Sequence, residues 1–135
     1  MKTLLSIALL CTLAFGADGY EVFKSKCVQC HEEMLSKAET IKRFKTLKAP
    51  PMLEVSNRVK ENIIIKDDDE DIHRRVVIAF IKDYIDNPSL DYSMCHAPAI
   101  ERFGIMPSQK GKISEAEKQA VAEWIYDRYE GHSFK

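Results

Sequence analysis

Two cysteines and a histidine lie close together near the N-terminus of the chain. Cys27, Cys30 and His31 form the pattern Cys-x-x-Cys-His. Residues three apart share one side of a helical turn, so both thiols can add to the vinyl groups of one haem while the adjacent histidine reaches its iron. This is the attachment pattern of c-type haem. Covalent attachment would give a small domain a large apolar group for its core.

Two other chemistries use a Cys-x-x-Cys pair. A zinc site needs another ligand pair at short spacing, and the only candidate is Cys95-His96, far along the chain. A thioredoxin-like redox pair lies at a strand-helix junction of a βαβ unit, and the chain lacks the alternation typical of strands. We therefore predict one haem c, containing iron, attached through Cys27 and Cys30 and ligated by His31.

The iron needs a sixth ligand unless that position stays open. Met106 is the preferred candidate because it lies in a loop between Gly104 and Pro107, whereas a methionine on a helix stripe is normally core packing. A soft thioether favours ferrous iron and raises the reduction potential. The other candidates considered are Met34, Met52, Met94, His73, His96 and His132.

Cys95 lacks an evident role, because an odd number of cysteines after the leader cannot all pair within the chain. The segment from Tyr92 to His96 resembles a haem motif whose first cysteine is tyrosine, so a second haem on a single thioether is one alternative. A reactive or sulfur-carrying thiol is another. The preferred interpretation is a buried cysteine that acts as a small apolar side chain near the haem.

The first 16 residues are typical of a secretory signal peptide. Lys2 precedes an apolar run from Leu4 to Leu13, and small residues end the segment. The run is too short to span a bilayer. We expect cleavage before Ala17, export to a bacterial periplasm without stable membrane insertion, and a single domain over 17–135.

The charge is nearly balanced overall but unevenly distributed. A formal net charge of −1 offers no field for a polyanion, so nucleic acid is not an expected partner. Residues 67–71 are all acidic. Residues 24–48, which flank and include the haem motif, carry seven basic residues: Lys24, Lys26, Lys37, Lys42, Arg43, Lys45 and Lys48.

The apolar periodicity predicts helices in several stretches and no strand. Helices are expected over 18–31, over 37–47 with Ile41, Phe44 and Leu47 on one side, and after Pro51. A fourth helix carries Ile72, Val76, Val77, Phe80, Ile81, Tyr84 and Ile85, with the acidic run as its N-terminal cap rather than a calcium loop. A capping box at Ser114 begins the last helix. Residues 87–113 look irregular, and the tail containing His132 looks frayed.

The chain resembles class I monohaem cytochromes c. The resemblance covers most of the chain after the leader, and the haem motif is its specific part. It implies an all-α fold, a small cytochrome c-like helical domain wrapped around one covalently bound haem. The matching residues are Gly19, Phe23, the motif at 27–31, Met106-Pro107 and Val121 to Ile125.

The resemblance also implies contacts and a function. Gly19 and Phe23 should meet Trp124 where the terminal helices cross, and the carbonyl of Pro50 or Pro51 should accept the proton on the far nitrogen of His31. The implied function is an electron carrier, not an enzyme, with redox protein donors and acceptors. The alternatives are a cytochrome subunit docked to a periplasmic oxidoreductase complex, including one acting on sulfur compounds, and a gas-binding haem protein; the chain would be a monomer or a subunit of a complex.

Overall fold

The computed structural model describes residues 16–135, and in that range the protein is built from helices without any strand. The all-α prediction is confirmed. The predicted signal peptide lies outside the described residues except for Gly16, so it stays a prediction. The helices are α1 (Gly19–Val22), continued by a π-helical turn (Phe23–Cys27), α2 (Lys37–Arg43), α3 (Met52–Asn62), α4 (Glu70–Asp86), α5 (Ala97–Phe103) and α6 (Glu115–Arg128), with a 3-10 turn at Lys66–Asp68.

The terminal helices α1 and α6 cross at Gly19. A Cβ atom on Gly19 would lie 2.2 Å from the Ala120 carbonyl oxygen and 2.5 Å from Trp124 Cβ, so only glycine fits this crossing. The ring of Phe23 stacks on Trp124 with centroids 4.7 Å apart. The predicted contact of Gly19 and Phe23 with Trp124 is therefore confirmed.

Helix α4 packs against α6 and supplies one wall of the core. Asp69 caps its N-terminus by accepting a hydrogen bond from the Ile72 amide at 2.9 Å, as predicted for the acidic run. The predicted stripe is wrong at its beginning, because Ile72 and Val76 are about 40% exposed. Burial begins at Val77, and the buried residues of α4 are Val77, Ile78, Ile81 and Ile85.

Helix α2 differs from the expectation in the residues that it buries. Helix α2 is preceded by a capping box between Ser36 and Glu39, but Ile41 is 68% exposed and Thr40 is buried in its place together with Leu47. Only two turns of helix rest on the core here, so a small rotation exchanges which of two adjacent residues is covered. The prediction that Ile41 lies on the same side as Leu47 is therefore wrong, because Leu47 is buried and Ile41 is exposed.

The region predicted as irregular contains α5. Pro98 lies in its first turn, where the missing amide costs nothing, and Gly104 ends it at φ 69°, turning the chain into the loop that carries Met106.

The C-terminal tail is also ordered by contacts. Asn57 on α3 donates to the His132 carbonyl at 3.1 Å and accepts from the Phe134 amide at 2.8 Å, so the expectation of a frayed tail is wrong.

Candidate functional site

The Cys-x-x-Cys-His segment follows the π-helical turn at the end of α1. The amide of Val28 donates to the Phe23 carbonyl at 3.0 Å, and the amide of His31 donates to the Cys27 carbonyl at 3.0 Å. These bonds wind residues 27–31 into one turn, and single π-turns are frequently found at functional sites. Cys27, Cys30 and His31 all line one cavity.

This cavity has about 1250 Å³ of empty space, part of which is open to solvent. Its walls come from the end of α1, residues 48–50, helices α3, α4, α5 and α6, and the loop after α5. Most of the lining side chains are apolar, among them Val55, Phe80, Ile85, Phe103 and Ile125. An apolar space with two thiols and an imidazole on its wall fits a porphyrin.

A hydrogen bond fixes the ring of His31. Its Nδ1 atom lies 2.7 Å from the Pro50 carbonyl oxygen. A carbonyl oxygen only accepts, so Nδ1 carries the proton and Nε2 keeps the lone pair that a metal requires. The Pro51 carbonyl is used differently, because it accepts from the Val55 amide at the start of α3. Pro50 therefore plays the role that the sequence left open between two prolines.

Burial governs the proton affinities at this site. It lowers the pKa of the His31 imidazole, and the bond to Pro50 only partly opposes that shift. Burial also raises the pKa of the Cys27 thiol to about 11, with a smaller contribution from the nearby Cys30. Both shifts favour the neutral forms, which is the expected result in an apolar wall.

Two of the seven candidate sixth ligands, Met52 and Met106, line the cavity. The backbone of Met52 is fastened beside His31, because its amide donates to the Glu32 carbonyl at 2.8 Å. Met106 arrives on a separate loop between α5 and α6. Both ring nitrogens of His73 are bonded, to the Tyr126 hydroxyl and the Lys60 carbonyl.

The remaining candidates lie away from the main cavity wall. Met94 lines a small adjoining cavity instead, and Met34, His96 and His132 are exposed. Met106 is therefore the candidate methionine that lines the cavity together with His31 from a separate segment of the chain.

Cys95 lines the same cavity as Cys27 and Cys30. Burial of its sulfur raises its pKa, yet the residue as a whole is exposed, so the expectation of a buried cysteine is wrong while its location beside the cavity agrees. Helix α5 begins after His96 instead of ending there, which differs from the geometry at Cys27. Ala99 and Phe103 of α5 also line the cavity, and the sequence analysis did not identify them. The signal that could have indicated this helix is Pro98, a proline at a helix start like Pro51.

Two searches of residues 16–135 gave negative results. No group of three histidine, cysteine or acidic side chains is close enough to hold a bare metal ion. Nor does this part of the chain contain a helix long and apolar enough to cross a membrane.

The fold and the site together define a small helical domain that encloses an apolar cavity beside two thiols and an oriented imidazole. A model of the family described as "Cytochrome C oxidase, cbb3-type, subunit III" matches residues 14–125. The chain belongs to this c-type cytochrome family, whose domain is associated with haem-based electron transfer and implies haem c with its iron and redox partners.

A search of curated proteins found a close relative. The chain is 39% identical over 143 residues to an uncharacterized protein of Aquifex aeolicus (strain VF5), in a match that covers 95% of this chain and 88% of that protein. No solved structure matches significantly.

Proposed function

We propose that the protein is a periplasmic electron carrier with one haem c attached through Cys27 and Cys30. His31 and Met106 would hold its iron as the two axial ligands, and the iron would supply the cycle between the ferric and ferrous states. The observation that carries the proposal is the shared cavity wall: both thiols, the Pro50-oriented His31 and Met106 line one apolar space. With both axial positions filled, the bound haem would exchange single electrons without binding a substrate.

The chain's own residues have three tasks in this proposal. Pro50 holds the proton of Nδ1 and so keeps Nε2 available as a ligand. The apolar walls from α3, α4 and α5 exclude water, and the Met106 sulfur favours the reduced iron. Lys26 and Lys48 belong to the cavity lining and supply positive charge where a redox partner would approach an exposed haem edge.

The Met106→Ala variant tests the axial ligand. We expect the sulfur-to-iron charge-transfer band of the ferric protein to disappear and the reduction potential to fall by on the order of 100 mV. The ferrous variant should bind carbon monoxide rapidly, since the sixth position is then open. Absorption spectra, a redox titration and flow-flash mixing measure these effects.

Met52→Leu is the matched control, because it replaces the other thioether of the cavity wall with a side chain of similar volume. It should retain the band. An unchanged spectrum in Met106→Ala, together with an altered spectrum in a Met94 or His96 variant, would contradict the assignment. Rapid carbon monoxide binding by the unaltered protein would instead favour a gas-binding haem.

One observation favours a second candidate function. The family description names a subunit of an oxidase, and a cytochrome subunit docked to a periplasmic oxidoreductase complex would use the same haem site. Gentle purification of the tagged protein from its own cells distinguishes the two. A freely diffusing carrier elutes as a small single-haem protein, whereas a docked subunit elutes with other redox proteins at a larger size.

A further inference from the structure

The loop that carries Met106 is fastened to the C-terminal end of α4. The Ser108 hydroxyl donates to the Asp86 carbonyl at 2.6 Å, and the Gln109 amide donates to the Ile85 carbonyl at 2.9 Å. The last carbonyls of a helix lack partners within the helix. The loop therefore serves as the C-terminal cap of α4, and Met106 lies two residues before the first of these bonds.

The side chain of Asp86 connects the same point to α6. One of its carboxylate oxygens accepts a hydrogen bond from the Lys118 ammonium, which also forms an ion pair with Glu115. The other oxygen is buried and has no hydrogen-bond partner among residues 16–135. The Asp86 side chain is 17% exposed and that of Lys118 only 6%. These bonds raise the pKa of Lys118, so the ammonium stays charged.

The largely buried carboxylate of Asp86 depends on its cation. The C-terminus of a helix carries partial negative charge, so Asp86 is repelled by its own helix, and removal of one member of a buried ion pair leaves the other uncompensated. We propose that Lys118 is a positioning residue for Met106, acting through Asp86 and the end of α4. Lys118 does not line the cavity. The inference rests on the proposed ligand role of Met106.

The test uses the holoprotein with Lys118→Met. Amide hydrogen exchange in residues 104–113 should accelerate by roughly tenfold or more, because the loop loses its anchor while the rest of the fold persists. Carbon monoxide should bind the ferrous protein faster by a similar factor. Adding Asp86→Asn to Lys118→Met should restore slow exchange and slow binding, since no buried charge then remains.

Lys82→Met is the matched control. Lys82 also joins α4 to α6, through Gln119 and Glu115, but the structure gives it no bond to Asp86. It should leave both rates unchanged. If Lys118→Met yields no folded holoprotein, Ser108→Ala removes one tie of the loop without a charge change and should raise both rates in the same direction.

Three results would overturn the inference: unchanged exchange in Lys118→Met, equal acceleration in Lys82→Met, or no effect of Ser108→Ala where that variant is needed. Failure of the ligand proposal is read separately, from the Met106→Ala spectrum. Faster exchange in residues 104–113 with an unaltered Met106→Ala spectrum would retain the anchor and reject Met106 as the ligand.

Discussion

The Gly19→Ala variant is expected to lose about 3 kcal/mol or more of its free energy of unfolding. Alanine in a helix is normally better than glycine by about 1 kcal/mol, so the expected sign is opposite to the helix propensity. The reason is the crossing of α1 and α6, where the new methyl group would lie 2.2 Å from the Ala120 carbonyl oxygen. A backbone oxygen inside a packed helix cannot move aside without separating the helices. Denaturant unfolding of the holoprotein measures the loss.

Gly111→Ala is the matched control for that measurement. Gly111 has open space around it: apart from its chain neighbours, no described atom lies within 4 Å of where its Cβ would be. Its φ of 76° makes alanine cost only backbone strain, about 1–2 kcal/mol. Equal destabilisation by the two variants, or a gain in stability from Gly19→Ala, would show that the helices do not cross as closely as described.

The double variant Cys27→Ala/Cys30→Ala is expected to lose covalent haem down to the background of the assay. Without the thioethers the large apolar cavity opens to water, and exposed apolar walls in so small a domain favour an expanded, molten state over a packed one. Haem staining after denaturing electrophoresis reads the attachment. Near-ultraviolet circular dichroism reads the packing around Trp124.

Cys95→Ser controls for the loss of a thiol from the same cavity wall. The exposed Cys95 makes no disulfide within residues 16–135, so this variant should retain one haem and its native spectrum. The attachment proposal would be wrong if the double variant kept covalent haem, and Cys95 would have to be reconsidered if Cys95→Ser lost it.

Much of the fold follows from local signals in the sequence. The capping box before α6 and the acidic cap before α4 depend on residues only three positions apart, so the sequence alone identifies them. The Cys27-to-His31 turn is equally local. The contact of Gly19 with Trp124 is remote in sequence, and it was predicted only because the chain resembles cytochromes c.

The features that were missed depend on tertiary contacts. Lys118 lies on a helix with an ordinary charged pattern, and its burial follows from the distant Asp86 on α4. The tail is held by Asn57, more than 70 residues earlier. Cys95 was expected to be buried because cysteines usually are, but the irregular segment before α5 leaves it at the edge of the cavity. The choice of Pro50 over Pro51 likewise required the geometry of His31.

The proposed function depends on one haem bound covalently to Cys27 and Cys30 in an exported chain. Intact-mass analysis of the denatured, purified holoprotein, followed by peptide mapping, shows whether this haem is present. We predict a chain that begins at Ala17 and carries the mass of one haem, with that haem on the peptide containing Cys27 and Cys30. A chain whose haem dissociates on denaturation, or a second haem on the peptide containing Cys95, would contradict the account.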